Sequence, residues 1–236
     1  KINNFILKDP KRPTTLKSRY IVENQKMFRV SKIDENSILE EHEDLIINQL
    51  DKAAKNSLAL IVSDFVYGVI TERIMDAIYK IKKKNKVLLI GDLQCSSQIG
   101  NAAKFKNFDL VCSTEKEARI AMQDNTSGIE RIANQFIKKT KIRNFILKLG
   151  SDGFIAYENK KIGIKRIHFP ALEPNPIDQT GAGDTLLATM AISMSVGLDF
   201  KEASALAACA GSVAVQKMGN IPISLNDLEN FIKSNE

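Results

Sequence analysis

The stretch "SLALIVSDFVYGVITERIMDAIYKIKKKNKVLLIGD", from Ser57 to Asp92, decides the fold class. It begins and ends with short continuous apolar runs, "LALIV" and "VLLI", of the kind found in buried strands. Between them, the segment from Thr71 to Lys84 has the apolar spacing of an amphipathic helix. Strand, helix and strand at this spacing predict a βαβ unit, in which parallel strands are covered by helices.

The same alternation extends in both directions and predicts the rest of the architecture. A hairpin that turns at "ENQ" is predicted between Thr15 and Ile33, because its apolar residues alternate. Further strands are predicted at "FDLVCS", "NFILKLG", "GFIAYEN" and "IGIKRIHFP". Helices are predicted over Glu40–Lys55, before Phe105, through Glu117, and over Gly128–Lys138, Asp184–Val196, Lys201–Lys217 and Asn226–Lys233. We therefore expect one α/β domain over residues 1–236, with a mostly parallel sheet and with residues 13–34 as a small lid.

Composition and charge exclude several classes of protein. The 236 residues are 44% hydrophobic and 26% charged, which is typical of a globular protein and not of a disordered or fibrous one. The net charge of +6 is scattered, and its densest run, Lys80 to Lys86, lies at a predicted helix end, where cations interact favourably with the helix dipole. Without interleaved aromatic residues, this run does not predict nucleic-acid binding. The longest uncharged run, Thr185 to Leu198, is too short to span a membrane.

Few residues are available for thiol or histidine chemistry. Cys95, Cys112 and Cys209 are odd in number and widely spaced, which favours reduced thiols and a cytoplasmic location. His42 and His168 are the only histidines in the sequence. A histidine-based metal site or a histidine-assisted nucleophile is therefore not expected.

Polar residues follow the predicted parallel strands at the edge where sheets of this class bind ligands. Asp64, Asp92 and Lys148 lie at the ends of three strands, and Ser113 and Thr114 follow another. Taken singly, each aspartate is explained equally well as a cap of the next helix and as a functional residue. Together, these positions predict a cleft at this edge of the sheet.

A glycine-rich turn precedes the first C-terminal helix in "DQTGAGDTLLATMA", from Asp178 to Ala191. Its glycines allow close backbone approach, and the helix directs unpaired N–H groups at the turn, which together form an anion-binding nest. Asp184 would repel a simple anion, but it suits a phosphoryl site in which it takes the proton of the attacking hydroxyl. The turn matches neither a Walker A loop nor a dinucleotide-binding motif, whose third glycine is replaced by Leu186. On this turn alone, a capped helix is favoured over a catalytic site.

Three motifs together resemble the ribokinase-like (PfkB) sugar kinases. They are the turn "DQTGAGDT" with its apolar helix, the strand and hairpin "LKLGSDGFIAY" from Leu147 to Tyr157, and the helix "EASALAACAGSVAVQKMGN" from Glu202 to Asn220. The resemblance runs from about Arg12 to the end of the chain. It implies a ribokinase-like three-layer α/β/α sandwich with a β-hairpin lid, the use of ATP and Mg²⁺, and a monovalent cation as a further candidate cofactor.

Within that family, "RPTTLKSRYIVENQKMFRV", "SDFVYGV" and "TEKEAR" are most similar to the branch that phosphorylates C1 of heptose 7-phosphate. The resemblance then implies an ATP-dependent kinase that forms heptose 1,7-bisphosphate for ADP-heptose synthesis, and a homodimer formed through the lid. Two alternatives stay open. One is a PfkB-type kinase of another sugar, and the other is a non-catalytic nucleotide- or sugar-binding module derived from such kinases.

The resemblance also implies roles for individual residues around the glycine-rich turn. Asp184 is the expected catalytic base. Gly181, Ala182 and Gly183 form the expected anion hole. Glu117 is expected to organise Mg²⁺ through water.

Two further groups of residues are expected to bind the substrates. Lys17 and Arg19 on the hairpin, with Asp64 and Asp92, are expected to contact an anionic sugar. A solvated hairpin face explains Lys17 and Arg19 equally well. The expected nucleotide contacts are Lys148, Gly150, Gly153, Gly211, Ser212 and Gly219.

The sequence departs from the family pattern in several places. Thr114 and Ala208 stand where the family has Asn, and Val66 stands where the heptose branch has Gly. The family also has a βαβ segment before the hairpin, with a central strand, a sugar-binding aspartate and a Gly-Gly motif. We therefore expect the N-terminal part of the sheet to be missing. A fragment of a longer protein is favoured over a reduced homologue, because the loss would expose apolar faces and strand edges.

Overall fold

The elements of the chain follow the predicted order. A computed structural model describes residues 4–23, 25–94 and 102–235. The strands are β1 (Leu16–Val22), β2 (Gln25–Lys32), β3 (Ala59–Asp64), β4 (Leu88–Leu93), β5 (Leu110–Thr114), β6 (Asn144–Lys148), β7 (Phe154–Lys160) and β8 (Gly163–Phe169). The helices are α1 (Glu40–Ala54), α2 (Glu72–Asn85), α3 (Glu115–Met122), α4 (Ile129–Thr140), α5 (Ala182–Ser195), α6 (Phe200–Val215) and α7 (Leu225–Lys233). The helix predicted before Phe105 is described only as a 3₁₀ turn over Ala102–Phe105, and Cys95 lies outside the described residues.

Strands β3 to β8 form one sheet in chain order. β3, β4, β5 and β6 run parallel to one another, as the alternation of strands and helices predicted. β7 and β8 are antiparallel to their neighbours. The change of direction follows from the short turn over Gly150–Asp152, since a parallel connection needs a crossover of a dozen or more residues.

Helices cover both faces of this sheet, because successive strand side chains point to opposite sides. Leu89 and Phe145 belong to the apolar cluster on the side of α1, α2, α3 and α4. The next residues in each strand, Ile90 and Ile146, belong to the cluster on the side of α5 and α6. The predicted three-layer α/β/α sandwich is confirmed. Among the described helices, none is long and apolar enough to cross a membrane.

Side-chain caps begin four of the described helices, and α5 differs from them. Thr71, Thr114, Asp199 and Ser224 each accept a hydrogen bond from an amide in the first turn of α2, α3, α6 and α7, respectively. The residue before α5 is Gly181, which has no side chain to offer. The first amides of α5 therefore have no side-chain cap, which is also the case for α1 and α4.

Strand β3 forms one edge of the sheet, and in the described part of the chain it pairs only with β4. Ile61 in β3 is 42% exposed, and Ile192 in α5 is 67% exposed. Exposed apolar side chains beside an unpaired strand are what an incomplete sheet leaves. The expectation that further strands belong to this sheet stays a prediction.

The hairpin formed by β1 and β2 is a separate two-stranded sheet whose base is fastened to the body by Arg12. The Arg12 guanidinium donates to the carbonyl oxygens of Asn36 at 2.7 Å and Asp34 at 2.9 Å, which follow β2. It also donates to the carbonyl of Tyr67 in the loop between β3 and α2. One side chain thus joins both ends of the hairpin to that loop.

The loop between β3 and α2 is itself fixed by a buried ion pair. Lys104 Nζ lies 3.0 Å from Asp64 Oδ2 and 3.0 Å from the carbonyl oxygen of Ile70. Asp64, only 3% exposed in its side chain, also accepts the Val66 amide at 2.8 Å. Lys104 therefore holds both ends of the loop that Arg12 joins to the hairpin, at Asp64 and at Ile70.

We predict that Val66→Gly stabilises the protein. Val66 has φ +60°, a left-handed conformation that costs a β-branched residue about 1–2 kcal/mol and costs glycine little. After the entropic cost of adding a glycine, the free energy of unfolding measured in urea should rise by roughly 0.5–1 kcal/mol. Val69→Gly is the control, because Val69 lacks the positive φ and should only lose stability. Equal losses in both variants would show that Val66 is not strained.

Candidate active site at the N-terminus of α5

The uncapped first turn of α5 presents backbone N–H groups. The Ala182 amide donates to the Gln179 carbonyl at 3.3 Å, and the Thr185 amide donates to the Gly181 carbonyl at 2.9 Å. Between them, the amides of Gly183 and Asp184 donate to no protein acceptor within the described residues. Free amides at the positive end of a helix dipole favour an anion. Of the predicted anion-hole residues Gly181, Ala182 and Gly183, Ala182 uses its amide within the turn, and the free amides are those of Gly183 and Asp184. The anion hole stays a prediction.

Contacts with the loop that follows α6 hold this turn in place. Asp178 accepts from the Thr180 amide at 3.0 Å through one carboxylate oxygen and from the Gly219 amide at 3.1 Å through the other. Gly181 has φ +86°, and a Cβ there would lie 2.2 Å from Asn220 Oδ1. Glycine is required at 181 both by the backbone conformation and by the close approach of Asn220.

A lysine lies directly under the turn. Lys148, at the end of β6, places its Nζ 3.1 Å from Asp92 Oδ1 at the end of β4. A Cβ added at Gly183 would lie 3.3 Å from the same nitrogen. Burial by itself would lower the pKa of Lys148, but the neighbouring Asp92 raises it, and the net direction is upward. The group therefore stays an ammonium next to the free amides.

Glu117 and Thr114 form a capping box at the start of α3. The Thr114 amide donates to Glu117 Oε2 at 2.7 Å, and the Glu117 amide donates to Thr114 Oγ1 at 3.2 Å. Burial raises the pKa of Glu117, while the Thr114 amide and the charge of Lys148 act against that rise. The Thr114 that replaces the family's Asn therefore has a structural role, and it keeps Glu117 facing Lys148.

A cleft of about 360 Å³ opens beside Lys148 and the start of α5. It includes most of the predicted nucleotide contacts, and its opposite wall consists of small residues of α6 and a proline-rich loop. Its lining residues include Thr114, Lys148, Gly150, Ser151, Gly153, Pro170, Ala171, Glu173, Pro174, Pro176, Ala182, Gly183, Ala208, Gly211, Ser212 and Val215. Gly219, also predicted as a nucleotide contact, does not line this cleft and instead binds Asp178.

Asp184 lies outside this cleft, on the exposed side of the turn. Its carboxylate has no hydrogen-bond or ion-pair partner among the described residues. Gly183 and Asp184 are adjacent, so the cleft and the carboxylate lie on the two sides of one turn. A group bound at the free amides can therefore be reached by Lys148 from the cleft side and by an acceptor next to Asp184 from the other.

The hairpin directs cationic side chains at the body. Lys17 Nζ lies 4.8 Å from the ring centre of Phe65 and 5.2 Å from that of Tyr67, both in the loop after β3. Arg19, on the same face of β1, lies directly opposite Arg29 of β2. Like charges placed opposite each other destabilise a strand pair unless an anion offsets them. Neither arginine forms an ion pair with another described residue, so this face suits an anionic ligand.

The two strand-end aspartates that were predicted to contact a sugar both have lysine partners. Asp64 is paired with Lys104 and Asp92 with Lys148, and their side chains are 3% and 1% exposed. Their roles toward a sugar remain predictions. The geometry described so far gives each of them a structural partner within the protein.

Two residues with a place in this site were not found from the sequence. Arg29 could have been found, because a turn at "ENQ" sets the register that puts it opposite Arg19. Lys104 gave no signal, because it was placed in a predicted helix and its contact with Asp64 joins residues that are forty positions apart in the chain.

Metal binding through protein groups alone is not supported within the described residues. They contain no cluster of three or more histidine, cysteine or acidic side chains. Lys148 Nζ lies 3.1 Å from Asp92 Oδ1, and the charges of Asp92 and Glu117 both raise the pKa of Lys148. One or two carboxylates suit Mg²⁺, which usually keeps its waters and binds substrate phosphates.

Comparison with known sequences places this geometry in a family. A model described as "pfkB family carbohydrate kinase" matches residues 1–227. The bifunctional protein HldE of Sulfurimonas denitrificans is 26% identical over 234 residues, covering 98% of this chain and 47% of that protein. HldE of Campylobacter jejuni is 28% identical over 223 residues, covering 93% of this chain and 46% of that protein. The chain spans about half the length of the curated relatives it matches.

Solved structures confirm the fold. Ribokinase from Thermotoga maritima is 21% identical with a TM-score of 0.70, covering 94% of this chain and 70% of that one. Phosphofructokinase-2 from Escherichia coli in complex with potassium is 17% identical with a TM-score of 0.69, covering 89% and 67%. Arabidopsis thaliana ribokinase complexed with ribose and ATP is 18% identical with a TM-score of 0.67, covering 89% and 66%. The predicted ribokinase-like fold is thereby confirmed.

We predict that Gly181→Ala weakens the turn before α5 more than a positive φ alone explains. The matched control is Gly197→Ala just after α5, where φ is +96° but a Cβ meets nothing within 4 Å. Each variant should lose about 1–3 kcal/mol of unfolding free energy from the backbone conformation. Gly181→Ala should lose more, because its methyl group meets Asn220, and Asn220→Ala should recover part of the excess. Equal losses at both positions, measured by urea unfolding, would contradict the close approach.

Proposed function

The chain belongs to the pfkB family of carbohydrate kinases, and on this premise we propose that it transfers the γ-phosphoryl group of ATP to a hydroxyl group of a sugar. The observation that carries the proposal is the first turn of α5. The free amides of Gly183 and Asp184, the exposed Asp184 carboxylate and the Lys148 ammonium from the end of β6 lie together there. Residues 1–236 act in this proposal as one kinase domain, with residues 13–34 as its lid.

ATP lies in the cleft between the glycine turn after β6 and the small residues of α6. Ala208, Gly211 and Ser212 leave a shallow wall against which a planar base can lie. Lys148 and Gly183, at the other side of the cleft, then face the phosphates. In this arrangement the γ-phosphoryl group lies next to the free amides of Gly183 and Asp184.

The chain's own residues perform the proton transfer and stabilise charge. Asp184 accepts the proton of the sugar hydroxyl, and the hydroxyl oxygen forms a bond to the γ-phosphorus. The bond from that phosphorus to the bridging oxygen breaks, and ADP leaves with the electron pair. The amides of Gly183 and Asp184 donate to the oxygens of the phosphoryl group as it moves.

Two cations complete the proposal. Mg²⁺ would neutralise charge between the phosphates when bound, and Glu117 would hold it through water. A monovalent cation is proposed as well, because potassium is bound in one structural relative. In this chain the turn after Asp178 is tied to the loop at Gly219, which brings two backbone segments together beside α5.

The proposed acceptor is C1 of a heptose 7-phosphate, which gives heptose 1,7-bisphosphate. The branch motifs of the hairpin and the HldE relatives support this choice. The cationic face of the hairpin supports it too, since Lys17, Arg19 and Arg29 suit a sugar that already carries a phosphate. A neutral sugar would leave the paired arginines without an offsetting charge.

A coupled assay for ADP release tests the function. The full-length protein that contains this chain is given MgATP with heptose 7-phosphate, and separately with ribose and with fructose 6-phosphate. Release that requires both heptose 7-phosphate and Mg²⁺ supports the proposal. Release only with ribose, or only with fructose 6-phosphate, would show that the acceptor is that sugar and not heptose 7-phosphate. No release with any sugar, while ATP still binds, would favour a non-catalytic binding module.

We predict that Asp184→Asn lowers turnover by at least about 100-fold, the usual effect of removing a general base. ATP binding measured by calorimetry should persist, because Asp184 lies outside the nucleotide cleft. Asp199→Asn is the matched control, since it changes an aspartate at the start of the neighbouring helix α6 and Asn caps a helix equally well. Near-normal turnover of Asp184→Asn would exclude Asp184 as the base.

We also propose that the chain forms a homodimer through the outward face of the hairpin. Leu16, Tyr20, Phe28 and Val30 lie on the side opposite to Lys17, and all are more than half exposed. The Tyr20 and Phe28 rings stack with centres 4.5 Å apart. A lone two-stranded hairpin is marginal in water, so an apolar outer face is best stabilised against a second copy.

Phe28→Glu should accordingly convert the dimer to a monomer, because a charge in the centre of the apolar face would be buried without a partner. Light scattering coupled to size exclusion reads the mass directly. Ile162→Glu is the control, since Ile162 is 90% exposed in a different hairpin and should leave the mass unchanged. A wild-type monomer at micromolar concentration would contradict the proposal.

A further inference from the structure

Asp92 and Lys148 project from the same face of the sheet, although their strands are not neighbours. β5 lies between β4 and β6, and Asp92 is in register with Cys112, which is in register with Ile146. Cys112 and Ile146 pack on the side of α5 and α6. Lys148 follows Ile146 by two residues and so points to that side too. The ion pair therefore crosses β5 under the first turn of α5.

The backbone of α5 leaves room for this ammonium at one position. Gly183 does not have a positive φ, so its conformation does not require glycine. A Cβ there would lie 3.3 Å from Lys148 Nζ and 4.0 Å from its Cδ. A side chain at 183 would thus crowd the lysine by a few tenths of an ångström, and with glycine there the ammonium lies beside the backbone of residue 183.

Asp92 is held more firmly than a substrate contact needs to be. Its side chain is 1% exposed, with Oδ1 next to Lys148 at 3.1 Å and Oδ2 accepting from Gln94 Nε2 at 2.7 Å. A buried ion pair seldom stabilises a fold more than apolar residues of the same size. Orientation of the lysine explains the pair better than stability does.

We propose that Asp92 is a positioning residue, which holds the Lys148 ammonium beside the Gly183 amide so that Lys148 contacts the γ-phosphoryl group. The ammonium has three N–H donors, and one directed at Asp92 leaves two for phosphate oxygens. Lys148 is then a catalytic residue, and Asp92 acts only through it. This inference rests on the proposed phosphoryl transfer and gives Asp92 a role different from sugar binding.

A double-mutant cycle tests this dependence in the full-length protein. The variants are Asp92→Asn, Lys148→Met and the two combined, with kcat and KM measured for MgATP and heptose 7-phosphate. Asp92→Asn should lower kcat by about tenfold or more, with a smaller change in KM for the sugar. In the Lys148→Met background, Asp92→Asn should have no further effect on kcat.

If the fold-reductions in kcat of the two single variants multiply in the combined variant, the inference is overturned, because Asp92 then acts independently of Lys148. A rise in sugar KM without a change in kcat overturns it too. Lys148→Met leaves the Asp92 charge buried without a partner and can unfold the protein. Asp92→Asn in turn leaves the Lys148 ammonium without its ionic partner. If Lys148→Met does not fold, the nucleotide affinities of Asp92→Asn, compared between the imido analogue of ATP and ADP, decide the question.

A matched pair elsewhere in the sheet controls for the loss of a salt bridge. Lys82 Nζ lies 2.8 Å from Asp109 Oδ2, which directly precedes β5 at the amino-terminal end of the parallel strands, and both side chains are partly buried. Lys82→Met and Asp109→Asn should lower the melting temperature while leaving kcat within about twofold of wild type. If Lys82→Met and Asp109→Asn lower kcat as much as Asp92→Asn does, the effect of Asp92→Asn is explained by lost stability alone.

Nucleotide affinity separates this inference from the proposed function. Calorimetry compares the imido analogue of ATP with ADP, both with Mg²⁺ and without any sugar. Asp92→Asn and Lys148→Met should each reduce affinity for the analogue by about tenfold and affinity for ADP little, because only the analogue has a γ-phosphoryl group. If wild type shows no turnover but this ratio falls in both variants, the proposed function fails and the inference stands. An unchanged ratio overturns the inference.

Discussion

The Lys148 ammonium lies close to Gly183 and so brings the end of β6 to the start of α5. Burial by itself lowers the pKa of Lys148, and Asp92, from the next strand but one, supplies the negative charge that acts against it. A side chain at 183 would crowd the ammonium, and the helix end above it has no side-chain cap. The result is a concentration of positive potential where the helix dipole and the ammonium coincide.

The rest of the site is arranged around that point. The cleft extends from the small residues of α6 to Lys148 and Gly183. Asp184 lies on the exposed side of the same turn. The lid is connected to it less directly, since Arg12 fastens the hairpin to the loop after β3 and Lys104 anchors that loop. The hairpin and the first turn of α5 are thus both positioned by strand ends of the same sheet.

The layers of the fold could be predicted from the sequence because they follow from short-range patterns. Alternating strand and helix periods identified each described strand and helix, and the short turn after Gly150 is the feature that makes β7 antiparallel. The glycine-rich turn at the start of α5 was also predictable, since "TGAGD" is a local motif, and the anion hole there stays a prediction. The start of α5 was placed at Asp184, but the helix begins at Ala182, and this difference brings Gly183 and Asp184 into the first turn.

Side-chain partners across the sheet could not be predicted in the same way. Asp64 and Asp92 were correctly placed at strand ends, but nothing local indicated that Lys104 and Lys148 would pair with them. Each lysine lies on a different element from its aspartate, and whether its side chain contacts the aspartate depends on how the elements pack together. Arg29 shows the intermediate case, because the hairpin register determines its position opposite Arg19.

The most direct measurement is a crystal structure of the full-length protein with MgADP and aluminium fluoride, which imitates a phosphoryl group in transfer. The account predicts that the fluoride complex lies within hydrogen-bonding distance of the Gly183 and Asp184 amides and of Lys148 Nζ, with the Asp184 carboxylate on the side of the acceptor. A fluoride complex bound elsewhere, with Lys148 still engaged only by Asp92, would contradict it.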